Sequence, residues 1–195
     1  MAPSSPVHVV VMGISGSGKT TLAQTLSQTL HLPYAEADVF HPQANIDKMS
    51  AGTPLTDDDR WPWLRSLRDW MNTHADSGSV VTCSALKRSY RELLEEATGR
   101  VVFLEIEADP AAITDRMNHR EGHFMPSSLL PSQLATLEPL AADEDGVTLS
   151  NDGTVEELAS AALAALTRLL GHAPVPLAAD EDGVTLTTTT KEATA

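Results

Sequence analysis

Cysteine occurs once in the 195 residues, at Cys83. That excludes an intrachain disulfide and any zinc site built from several cysteines, and it fits a reducing cytoplasm. No apolar run approaches the ~18 residues that cross a bilayer, so no membrane partner is expected. The opening Met-Ala-Pro-Ser-Ser-Pro has neither the basic region nor the apolar stretch of a secretory signal. Cations are also scarce: 13 Lys and Arg stand against 27 Asp and Glu, for a net charge of −14. A surface for nucleic acid needs clustered cations to displace counterions, and this balance argues against one. Residues 1–137 hold 11 of the basic and 16 of the acidic side chains, whereas residues 138–195 hold 2 and 11. An anionic ligand therefore belongs in the first two thirds of the chain.

What is present suits one large globular domain, with 42% hydrophobic and 21% charged residues. Short apolar, β-branched runs at 7–13, 34–38, 79–84, 100–106 and 146–150 read as strands. Helical spacing follows at 19–30, over Leu64, Leu67, Trp70 and Met71, and at 87–97. Thr56 with Asp59, and Thr154 with Glu157, have the spacing of capping boxes. Asp109-Pro110 reads as the start of a helix running to about Glu121, and the last helix ends before Gly171. Strands apolar throughout and alternating with helices predict a three-layer α/β domain with a five-stranded parallel sheet, covered on both faces. We expect a disordered N-terminus at 1–6, one domain over 7–170, and an acidic, disordered tail at 171–195.

The tail repeats an earlier segment. Pro-Leu-Ala-Ala-Asp-Glu-Asp-Gly-Val-Thr-Leu occupies 139–149 and again 176–186. Two short copies cannot stack into a solenoid, and the second reads as a passenger.

The chemistry starts at residues 13–20, Gly13, Ile14, Ser15, Gly16, Ser17, Gly18, Lys19 and Thr20, which match G-x-x-x-x-G-K-[ST]. Glycines let successive backbone N–H groups turn toward phosphate oxygens. Lys19 supplies a charge for the β- and γ-phosphates, and the Thr20 hydroxyl is a ligand for Mg²⁺. A strand before and a helix after supply the expected context. Together these imply ATP and Mg²⁺ as cofactors. No N-K-x-D tetrapeptide reads a guanine base, so a small-molecule kinase is favoured over a GTPase.

Residues 38–64 are dense in carboxylates (Asp38, Asp57, Asp58) and cations (Lys48, Arg60). Asp38 ends a strand, at the sheet edge where open α/β folds bind ligands. Carboxylates that accept hydroxyls, beside an arginine that grips a carboxylate, suit a polyhydroxylated anion.

With the phosphate loop, the 38–64 block, Cys83-Ser-Ala-Leu-Lys87-Arg-Ser-Tyr90-Arg91, Arg120-Glu-Gly-His123-Phe-Met and residues 130–138, the sequence resembles the small P-loop gluconokinases over residues 7–170. The resemblance implies a P-loop kinase fold with a lid. It also implies ATP-dependent phosphorylation of D-gluconate at the 6-hydroxyl, a cytoplasmic setting and, at family level, a homodimer. It makes Asp38 the residue that orients or deprotonates the acceptor, with His41, Lys48, Asp58 and Arg60 as substrate contacts. Lys87 and Arg91, four apart on one helical face, could bind the acid's carboxylate or phosphate. Arg116 and Arg120, also four apart, read as lid arginines brought onto the transferring phosphoryl group. Family members commonly have Gly between two acidic residues where this chain has Glu36-Ala37-Asp38, and the extra methyl could alter acceptor affinity. A kinase for a related hydroxy acid, and an ATP-binding sensor with a decayed acceptor site, remain alternatives at this point.

Overall fold

The computed structural model describes residues 6–109, 111, 113, 126–172 and 174. Five strands, β1 (Val7–Met12), β2 (Tyr34–Glu36), β3 (Ser79–Cys83), β4 (Arg100–Glu107) and β5 (Gly146–Ser150), form one sheet in the order β2-β3-β1-β4-β5. All four pairings are parallel. The chain runs from β1 to one flank and later to the other, so the end of β1 lies at a topological switch point, where open parallel sheets bind ligands.

Alternation along β1 sets the layers. Val9 and Val11 point into a core shared with Leu22, Leu26, Leu158 and Leu166, while Val10 and Met12 point into one with Leu64, Leu67, Met71 and Leu94. The first core is closed by α1 (Lys19–Leu30) and by the C-terminal helix. The second is closed by α3 (Asp57–Asn72) and α4 (Arg88–Glu95). Both predicted capping boxes form. The Asp59 N–H donates to Thr56 Oγ1 at 3.3 Å, and Glu157 and Thr154 bond in the same way at the head of α6 (Val155–Leu170).

Two helices, α2 (Gln43–Ser50) and α5 (Leu130–Thr136), were not foreseen. The strand expected over 34–38 ends at Glu36 and turns into a 3₁₀ segment, Ala37–Phe40. The Trp63 indole N–H bonds the Ala37 carbonyl at 2.7 Å and the Thr82 hydroxyl accepts the Ala37 N–H, so Ala37 cannot continue the ladder. Asp109 does cap a turn, accepting the Ala111 N–H at 2.6 Å. Most of the helix expected as far as Glu121 lies outside the described residues.

The first copy of the repeat is built into the domain. Asp143 pairs with Arg88 at 2.9 Å, Glu144 with Arg91 at 2.5 Å and Asp145 with Arg100 at 2.6 Å. The second copy lies outside the described residues.

Candidate active site

The phosphate loop leaves β1 at Gly13 and enters α1 at Lys19. Gly13 has φ +132°, and a Cβ there would sit 2.7 Å from the Ile106 carbonyl oxygen. Gly18 has φ +105°, and a Cβ would meet Asn151 Nδ2 at 2.6 Å. Any side chain at either place would strain the backbone and push the loop off its supports. Those supports are side chains from distant segments. Asn151 Nδ2 donates to the Ser17 carbonyl at 2.7 Å, and the Ser15 N–H donates to Gln133 Oε1 at 2.8 Å. Lys19 Nζ donates to the Ile14 carbonyl at 2.9 Å, which folds its ammonium over the loop.

From the loop a cleft opens toward β2 and α3. Its walls combine Ser15, Lys19 and Thr20 with Glu36, Asp38, His41 and Arg60. The structure thus brings together Lys19, Thr20, Asp38, His41 and Arg60, from three separate stretches of sequence. Arg60 is aimed by the Leu55 carbonyl, which accepts from its Nη1 at 2.6 Å. The His41 ring stacks on Trp63 at 4.2 Å. Burial pushes its pKa down to about 4, so a neutral imidazole faces the cleft near pH 7.

Lys48, Asp58 and Lys87 do not line this cleft. Lys48 is taken up by Asp59 at 2.8 Å, and Asp58 is exposed on the first turn of α3. Lys87 precedes α4 rather than lying within it, and bonds Asp57 at 2.8 Å. Asp57 also accepts the Tyr90 hydroxyl at 2.5 Å, and together these hold its pKa below the usual carboxylate range.

Arg91 corrects an expectation. It does not share a ligand with Lys87 but turns inward, 1% exposed, against a Glu144 side chain that is itself 5% exposed. Its Nη1 also donates to the Ala85 and Glu138 carbonyls at 3.1 Å. With its donors committed inside the domain, it is a structural cation. Ala37 likewise does not line the cleft, its methyl being buried in the core beside Trp63. Arg116, Arg120 and His123 lie outside the described residues.

Sequence reading passed over Glu36. Its carboxylate accepts from the Thr20 hydroxyl at 2.9 Å and from Tyr34 at 2.7 Å, and it also bonds Thr82. The available signal was its place two residues before Asp38, at the end of the same run. Thr20, Glu36 and Asp38 all offer oxygen, the donor that a hard divalent cation prefers. Among the described residues no group of three or more His, Cys, Asp or Glu could cage a metal alone. Such a set fits Mg²⁺ shared with nucleotide phosphates and water. Cys83 lines the cleft, but burial raises its thiol to about 12, so it holds no nucleophilic thiolate.

Comparison with known proteins finds relatives over most of the chain. The family model of shikimate kinase matches residues 15–167. A gluconokinase of Gluconobacter oxydans is 50% identical over 159 residues, 78% of this chain and 89% of that protein. The thermoresistant gluconokinase of Escherichia coli K12 is 41% identical over 71% of this chain and 80% of its own length. Among solved structures, a gluconokinase from Sinorhizobium meliloti superposes with a TM-score of 0.77 at 44% identity, covering 86% of this chain and 95% of that one. A sugar kinase from Janibacter reaches 0.80 at 50% identity, over 87% and 98%.

Proposed function

This chain belongs to the gluconokinases of the shikimate kinase family, and from that premise we propose that it transfers the terminal phosphoryl group of ATP to the 6-hydroxyl of D-gluconate. The products are 6-phospho-D-gluconate and ADP, and the reaction serves the catabolism of sugar acids. The observation that carries the proposal is the single cleft joining Lys19 and Thr20 of the phosphate loop to Asp38, His41 and Arg60.

The backbone N–H groups of residues 13–20 and the positive end of α1 bind the triphosphate. Arg60 receives the gluconate carboxylate, a pairing that suits its forked donors. Asp38 accepts the proton of the attacking hydroxyl as its oxygen bonds to the γ-phosphorus and the bond to ADP breaks. Neutral His41 can hydrogen-bond a sugar hydroxyl without attracting competing anions. Lys19 stays with the phosphoryl oxygens as charge moves toward ADP, and Arg116 and Arg120 add positive charge at the same step. Thr20, with Glu36 and Asp38 nearby, would hold Mg²⁺, which when bound neutralises charge on the β- and γ-phosphates. Lys48, Asp58 and Lys87 sit outside the cleft walls and have no part in this transfer. Most of the rate gain in such a transfer comes from positioning and charge stabilisation.

The test is ADP release from MgATP with gluconate and with a panel of other sugar acids and shikimate, the product being located by NMR at carbon 6. Gluconate should be strongly preferred, and Lys19→Ala should lose several orders of magnitude in kcat while remaining folded. Faster turnover of shikimate or another acid, or undiminished turnover by Lys19→Ala, rejects the assignment.

A further inference from the structure

The mechanism leaves Gln133 without a task, although it is 7% exposed and lines the same cleft. Its Oε1 holds the Ser15 N–H at 2.8 Å across 118 positions of sequence. Burying a primary amide is costly compared with burying an apolar group of the same size, so its presence calls for a reason. The other end of this segment reaches the acceptor wall. Leu129, just before α5, packs in a small separate core with Met49 and Leu55. The Leu55 carbonyl is the group that aims Arg60, at 2.6 Å. A continuous path therefore runs from Ser15 through Gln133 and α5 to Leu129, Leu55 and Arg60. Beyond α5, the Glu138 N–H is fixed to the Leu86 carbonyl at 2.7 Å.

We propose that residues 129–133 act as a strut setting the spacing between the phosphate loop and the acceptor anchor, with Gln133 as the positioning residue. The inference rests on the functional reading above, since it assumes a donor at Ser15 and an acceptor at Arg60. A strut affects alignment more than affinity. Misplacing reacting groups by about 1 Å costs ~10²-fold in rate, whereas ground-state contacts away from the strut are kept.

The experiment compares Gln133→Met, which keeps length but has no strong acceptor, with Gln133→Glu, which keeps an oxygen for the Ser15 N–H. The Met variant should lose ~10–100-fold in kcat with gluconate, its KM values changing less than ~3-fold. The Glu variant should recover much of that kcat, at a raised KM for ATP because of its charge. A second readout does not depend on turnover: amide exchange at Ser15 should quicken ~10-fold or more in the Met variant and stay slow in the Glu variant. Near-normal kcat in the Met variant, equal loss in both variants, or unchanged Ser15 exchange each overturns the strut. If Gln133→Met does not fold, Gln133→Leu is put through the same two readouts. A wild-type chain inactive on gluconate would instead reject the functional reading, and the exchange comparison would still judge the strut.

Discussion

Thr20, in the first turn of α1, donates its hydroxyl to Glu36 Oε2 at the end of β2, at 2.9 Å. The phosphate loop and the acceptor wall are therefore joined by a hydrogen bond before any substrate links them. Tyr34 donates to the same oxygen at 2.7 Å. Burial, and then the bond to Glu36, push the Tyr34 pKa up, so this phenol remains a donor at all working pH values. Glu36 is fixed in place by groups that do not turn over, and the proposed function gives the reacting hydroxyl to Asp38, two residues on.

Asp38→Asn tests that division of labour. Transfer to gluconate should fall ~10²–10⁴-fold, the usual range for a lost base or orienting group. MgATP affinity, measured by calorimetry, should stay close to wild type. Lost nucleotide affinity with normal gluconate kinetics would move Asp38 to the metal alone.

Arg91 is tested by stability rather than by substrate. Removing one partner of a buried pair leaves a charge uncompensated, at a cost of ~3–5 kcal/mol. Arg91→Ala should therefore lower the melting temperature sharply, while the protein that remains folded keeps its KM for gluconate. An unchanged melting temperature with a raised KM would return Arg91 to the substrate.

These residues also mark how much was legible in the sequence. The phosphate loop, α1 and both capping boxes could be read because their determinants lie within a few positions of one another. α2 could not, because its two buried residues are Asn45 and Met49, too few for an apolar stripe. Asn45 is held instead by the Asp59 carbonyl at 2.8 Å. The inward turn of Arg91 depends on Glu144, 53 positions away, and the early end of β2 depends on Trp63, 26 positions beyond Ala37. Periodicity reports which face is apolar, not which distant group will meet a polar side chain.

Stability should depend on pH through two imidazoles with lowered pKa values, the buried His8 and the half-buried His41. His8 is fully buried, with Nε2 3.0 Å from the Thr98 carbonyl and Nδ1 2.8 Å from the Ser79 hydroxyl. A carbonyl can only accept, so Nε2 carries the proton and Nδ1 accepts from Ser79. Burial lowers the pKa of His8, and lowers that of His41 to about 4. Both are neutral when folded and charge near ~6.5 when unfolded. Their contribution is complete above ~6.5 and is lost as pH falls from there toward the folded values. The urea midpoint should hold from pH 8 to 7 and decline between about pH 6.5 and 4.5. A flat profile through that window would contradict both burials.

Removing residues 173–195 should change little. The first copy of the repeat is locked in by Arg88, Arg91 and Arg100, one arginine for each of its three acids. Its Gly146 passes so close to β4 that a Cβ would lie 2.5 Å from the Phe103 carbonyl oxygen. The second copy has the same sequence, but those three arginines are already engaged. To replace the first copy it would have to break the contacts it gains, with no net gain in contact energy. The junction of β5 with α6 would also be lost, together with its capping box. Truncation should therefore leave the melting temperature within ~2 °C and gluconate turnover unchanged. Charge reversal at Asp180, Glu181 and Asp182 should be equally silent, whereas Glu144→Lys should unfold the domain. If truncation instead converts a dimer to a monomer, the two copies are exchanging between subunits and the tail is part of the fold.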